Sequence, residues 1–170
     1  MRVKSFRLIT IALLVSMLTP TALFAQPELR VVQDTDEYYD GVLTSLQPIA
    51  LEEADVIFVN GILNSPGDHW DGLAMISGIF TGLDVIGVYN ATDFNPLTNG
   101  DQENDLEQAY DDLKQGQGFE RIHATNPAVD TLLTYLVVYD NEVIIIAHSQ
   151  GAAITSAALR EFALRYPERM

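Results

Sequence analysis

The sequence predicts an α/β domain built on a mainly parallel sheet. Three observations carry that prediction. Strand-like and helix-like periodicities alternate from Asp55 onward. The run EVIIIA, residues 142–147, has no polar alternation, as expected of a strand buried on both faces. The segment that follows, AAITSAALREFALRYP, is Ala-rich early and charged late, which suits a helix that starts against a sheet and ends in solvent. A hydrophobic content of 48% over 170 residues is enough for one domain with a proper core.

Residues 1–25 stand apart. They combine a basic start (Arg2, Lys4, Arg7), an apolar run from Leu8 to Leu18, Pro20, and the small Ala25 before Gln26. That pattern reads as a cleaved secretory signal, with an uncleaved anchor or a buried helix as alternatives. It implies a secreted or periplasmic protein with no stable membrane span after cleavage, and residues 26–170 as the mature domain. No Cys follows the apolar run, so a lipid-modified N-terminal cysteine is excluded.

The nine Lys+Arg less those three leave six against 24 Asp+Glu, a mature net charge of −18. Such a field repels phosphate backbones and anionic lipid, so nucleic-acid binding is disfavoured. Plain solubility explains the charge equally well. The absence of Cys removes disulfides, thiolate chemistry and Cys-based metal sites. His69, His123 and His148 have no metal-ligand spacing, so no metal is expected.

In chain order, residues 26–54, with the acidic DTDEYYD, suggest one or two early strands or a short helix. DVIFVN, 55–60, is a β-branched apolar run; GILNSPGD is a turn-rich loop; HWDGLAMISGIF has helical spacing; DVIGVYN is again a strand. Residues 92–125 form a long polar connection around a helix at LEQAYDDLKQ. Its length fits either part of a site or a surface excursion. NPAVDTLLTYLVVYD reads as an amphipathic helix opening at Asn126 with Pro127 in its first turn, and Pro167 closes the last helix.

The chemistry-bearing stretch is Ala147-His148-Ser149-Gln150-Gly151, between the strand EVIIIA and the Ala-rich helix. A serine attacks a carbonyl only when held exposed, near a base, with donors waiting for the oxyanion. A buried strand ending in a tight turn into a helix supplies the exposure, and the flanking positions must be small. Ala147 and Gly151 are small, and Ala152 and Ala153 let the helix approach the sheet. The ordinary alternative is an N-capping Ser at a strand-to-helix turn.

AHSQGA preceded by VIII resembles the nucleophile elbow of the α/β-hydrolase superfamily, particularly its lipase and esterase branches, with Ala147 where the first Gly is usual. VIFVNGILNSPGD is similar to the family's oxyanion strand and loop, with Asn60-Gly61 where His-Gly is common. The resemblance spans about residues 55–165. It implies a three-layer α/β/α fold and attack of Ser149 on a carboxylic ester or related acyl bond. It also implies oxyanion donors at the backbone N–H groups of Ile62 and Gln150, Asn60 bracing the loop, and no cofactor. The substrate would be a small-molecule or lipid ester. Asn60-Gly61 is otherwise a simple turn after a strand.

The family's acid and His follow the nucleophile in the chain. After Ser149 this sequence holds no His and no Asp, and only Glu161 and Glu168 remain. Glu161 lies twelve residues along the helix, roughly 18 Å away at about 1.5 Å per residue. His148 reads as a packing or surface residue of the turn. His69 and His123 are upstream candidates for a relocated base near the mouth. The expectation is therefore the N-terminal part of a longer hydrolase, or a chain completed by a partner, since an end at Met170 leaves VIIIA as an apolar edge. The alternative is a non-catalytic secreted pseudo-hydrolase or interaction domain.

Two further readings are weaker. Asp93, Asn95, Asn99, Asp101 and Glu103 lack the spacing of a calcium loop. Trp70 either lines an acyl pocket or simply packs.

Overall fold

The computed structural model describes residues 30–33, 40–62, 64–91, 101–118 and 126–170, with only the backbone for 101–108. The proposed signal segment and His123 lie outside the described residues, as do Asp93, Asn95 and Asn99. The described elements are strands β1 (Val31–Val32), β2 (Leu43–Ser45), β3 (Val56–Val59), β4 (Val85–Val88) and β5 (Ile144–Ala147), with helices α1 (Pro66–Ile79), α2 (Asp101–Gly116), α3 (Pro127–Val138) and α4 (Gln150–Arg165). Short 3-10 turns cover Leu51–Glu53 and Pro167–Arg169. The undecided stretch 26–54 thus holds both strands and a helical turn.

The five strands form one mixed sheet in the order β1-β2-β4-β3-β5. β3 pairs parallel with β4 and with β5, β1 pairs parallel with β2, and β2 runs antiparallel to β4. The domain is therefore α/β with a mostly parallel sheet.

Successive residues of β3 point to opposite faces, as the twofold period of a strand demands. Val56 and Phe58 join Val85 under Leu73 and Ile76 of α1, with Trp70 half-buried beside them as packing. Ile57 and Val59 join Ile86 and Val88 in the larger core, which Val129, Leu132 and Tyr135 of α3 and Ile154, Ala157 and Ala158 of α4 complete. Burying an aliphatic side chain of this size stabilises the fold by about 1.5–3 kcal/mol. This double-sided core holds the carboxyl ends of β3 and β5 side by side.

Local chemistry explains the helix starts. Ser65 and Asp68 form a reciprocal capping box, with Pro66 at the first helical position, so α1 begins before the apolar spacing suggests. Asn126 caps α3 by accepting from the Ala128 N–H at 2.9 Å.

EVIIIA reads as a strand buried on both faces, and its side chains do pack on both, Val143, Ile145 and Ala147 against the larger core and Ile146 against the α1 side. The burial is less complete than expected, because β5 is the outermost of the described strands, with β3 as its neighbour. Ile144 is 48% exposed, and Ile145, Ile146 and Ala147 are intermediate. An apolar run reports the hydrophobicity of both faces of a strand, not how many neighbours it has.

Candidate active site

β5 ends at Ala147, and α4 begins at Gln150, leaving His148 and Ser149 to make the turn. Among the described residues, Ser149 is the one non-glycine with positive φ, at φ 54° and ψ −120°. That conformation suits the first central position of a type II′ turn, which favours Gly. A capping Ser instead takes extended angles and accepts a backbone N–H. Ser149 makes no such bond and is exposed. It therefore does not behave as an ordinary cap.

The turn is packed to the limit on both sides. A Cβ on Gly61 would lie 2.8 Å from Ser149 Cβ and 2.9 Å from both Nδ1 and O of His148. A Cβ on Gly151 would run into the Val59 and Asn60 carbonyl oxygens. The His148 N–H donates to the Val59 carbonyl at 3.0 Å, and the Gly151 N–H donates to the His148 carbonyl at 2.9 Å. Glycine at 61 and 151 is thus what lets the end of β3, the turn and the start of α4 meet.

Ile62 and Gln150 occupy the loop after β3 and the first residue of α4. Their backbone N–H groups have no acceptor among the turn and loop hydrogen bonds of the described residues. Free donors beside an exposed hydroxyl are what an oxyanion site requires.

Beneath the turn lies a buried polar network that sequence reasoning did not find. The Gln150 amide donates from Nε2 to Asp112 Oδ2 at 3.0 Å and accepts at Oε1 from Asn90 Nδ2 at 2.9 Å. Asn126 Nδ2 also donates to Asp112 Oδ2, at 2.8 Å. Asn60 and Asn90 are joined twice: the Asn90 N–H donates to Asn60 Oδ1 and Asn60 Nδ2 donates to the Asn90 carbonyl, both at 2.8 Å. Asn60, Asn90, Asp112 and Asn126 are fully buried. Asn60 and Asn90 each follow an apolar strand, the position from which a side chain reaches a sheet's carboxyl end, and that was the available signal.

The histidines separate. His69 is fully buried on α1, stacked on Phe58 at 5.6 Å and edge-on to Tyr89 at 5.1 Å, with Nε2 2.7 Å from Thr44 Oγ1. Desolvation pushes its pKa down to about 4. It does not line a mouth beside Ser149, contrary to the expectation that it could. His148 is exposed, with Nδ1 bordering Gly61. Glu161 is paired with Arg165 at 2.6 Å, one turn away on α4. No group of His, Asp and Glu among the described residues is arranged to hold a metal ion.

Comparison of the chain with protein-family models, with curated proteins and with solved structures gives no match.

Proposed function

We propose that this chain is a serine hydrolase of the α/β-hydrolase type, acting on carboxylic esters of small molecules or lipids through Ser149. The observation that carries the reading is the backbone of Ser149, held at φ 54° in an exposed turn without a capping bond. Residues in such conformations cluster at functional sites, because the strain must be offset by the surrounding structure. A three-layer α/β/α arrangement is supported by the apolar clusters on the two faces of β3. β4 and β5 also flank β3 on opposite sides, so the chain reverses direction across the sheet there. The carboxyl ends of strands at such a switch point are where open α/β sheets bind ligands.

In the proposed reaction Ser149 Oγ bonds to the ester carbonyl carbon and gives its proton to a base. The carbonyl electron pair moves onto oxygen, where the N–H groups of Ile62 and Gln150 receive it. Collapse of the tetrahedral intermediate expels the alcohol, which takes up the proton, and water then releases the acyl group from Ser149. The general base would be an imidazole other than the enclosed His69. No cofactor takes part. The strongly acidic mature chain and the segment 1–25 fit action outside the cytoplasm, secreted or periplasmic.

The test is a fluorophosphonate probe on the protein made by its own source, with Ser149→Ala as control. Covalent labelling confined to Ser149 is expected, and His123→Ala and His148→Ala report whether either supplies the base. An unlabelled Ser149 would leave the second reading, a non-catalytic interaction domain, which the exposed apolar Ile144 on the β5 edge favours.

A further inference from the structure

We propose that Asn90 is a positioning residue of the Ser149 site, holding the two oxyanion donors in register through Asn60 and Gln150. The inference rests on the serine-hydrolase reading above.

The two donors belong to different segments. Ile62 follows β3 by way of Asn60 and Gly61, and Gln150 opens α4. Nothing in their local sequence sets the distance between them. Asn90, at the carboxyl end of β4, contacts both segments. Its backbone N–H and C=O take the two ends of the Asn60 amide at 2.8 Å, and its Nδ2 donates to Gln150 Oε1 at 2.9 Å. Asn126 Nδ2 reaches its Oδ1 at 3.5 Å, and Asp112 fixes the other end of the Gln150 amide at 3.0 Å. Asn60, Asn90 and Gln150 are all buried, so water does not compete for these bonds. The Asn90 side chain therefore ties the helix that carries one donor to the end of β4, and the Asn90 main chain, through the Asn60 amide, ties that point to the strand end leading to the other.

A donor aimed at charge that develops in the transition state acts on kcat rather than on ground-state binding. Loosening it by about 1 Å costs on the order of 100-fold. Asn90→Ala is therefore expected to lower kcat on p-nitrophenyl butyrate by about 10- to 100-fold with KM unchanged. Gln150→Met cuts the same tie from the other end and keeps its own backbone N–H, so it should give the same split. Either variant suffices if the other fails to fold.

Tyr135→Phe is the control for stability alone. It removes the 2.8 Å bond to the Leu51 carbonyl ahead of β3, at the opposite end of the strands, and should leave kcat in place. A readout independent of turnover is 15N relaxation of the Ile62 and Gln150 amides, expected to be ordered in the wild type and loosened together in Asn90→Ala. Unchanged kcat and unchanged amide order in both Asn90→Ala and Gln150→Met would overturn the proposal. Failure of the wild type to hydrolyse the ester or take the fluorophosphonate probe would instead remove the hydrolase reading, and the relaxation data alone would then decide whether Asn90 braces the two segments.

Discussion

Replacing Ser149 with Gly should make the protein more stable while abolishing the reaction with a serine probe that the proposed function entails. At φ 54° and ψ −120° the Ser149 Cβ crowds its own backbone, a conformation that costs a non-glycine residue about 1–3 kcal/mol. Glycine relieves that cost but loses about 0.5–1 kcal/mol through the greater freedom of its unfolded chain. The side chain contributes little to offset the gain, because it is exposed and caps nothing. The net gain expected for Ser149→Gly is about 0.5–2 kcal/mol. Ser149→Ala provides the comparison, since it removes the hydroxyl but keeps the Cβ and with it the strain; it should stay within about 0.5 kcal/mol of the wild type. Urea denaturation of the three proteins, at a common m-value, measures both differences. A Ser149→Gly variant no more stable than Ser149→Ala would refute the claim that strain is stored at this residue, and with it the main support for its functional role.

Gly151→Ala places a methyl group 2.7 Å from the Asn60 carbonyl oxygen and against that of Val59, and because both are backbone atoms neither yields cheaply. A loss of about 2–3 kcal/mol is expected, seen as a melting temperature lower by about 4–12 °C in calorimetry. His69 binds protons more weakly folded than unfolded, with its pKa down from 6.5 to about 4, so the unfolded state gains protons first as pH falls. Stability should be unaffected above about pH 6.5 and decline by about 3 kcal/mol towards pH 4, and the difference between wild type and His69→Phe in urea melts across that window isolates the effect. Asp112→Ala leaves Nε2 of Gln150 and Nδ2 of Asn126 without their shared acceptor, at an expected cost of about 2–4 kcal/mol in denaturant titration.

The α/β character was legible because β3, β4 and α3 are local patterns: apolar β-branched runs, and a helix announced by Asn126 and Pro127. The turn at Ser149 was legible for the same reason, since strand, small residues and helix are contiguous. β5 read as more buried than it is, because burial on an edge depends on neighbours that hydrophobicity does not encode. The antiparallel direction of β2 was hidden too, in a strand of three residues. Of the network, Asn60, Asn126 and Gln150 drew notice one by one, as a loop brace, a helix opening and a backbone donor, whereas Asn90, Asp112 and the bonds that join all five escaped. Each of these residues has an ordinary local explanation as a turn former, a cap or a surface polar residue, and only the tertiary fold makes them partners. Trp70 and His69 stood out as rare residue types and prove to be packing around Phe58 and its neighbours.

The reach of that network along the chain bears on when activity can arise during folding. Asn60 and Asn90 are thirty residues apart, Asp112 and Gln150 thirty-eight, and Asn90 and Gln150 sixty. Helices form within about a microsecond, whereas contacts that close long loops are slow. A chain caught between these events would possess its serine and most of its helical content, yet the network joining Asn60, Asn90 and Gln150 would be open. On the hydrolase reading proposed above, ester hydrolysis during refolding should therefore lag behind the recovery of helical circular dichroism, which would make turnover a reporter of final closure rather than of collapse.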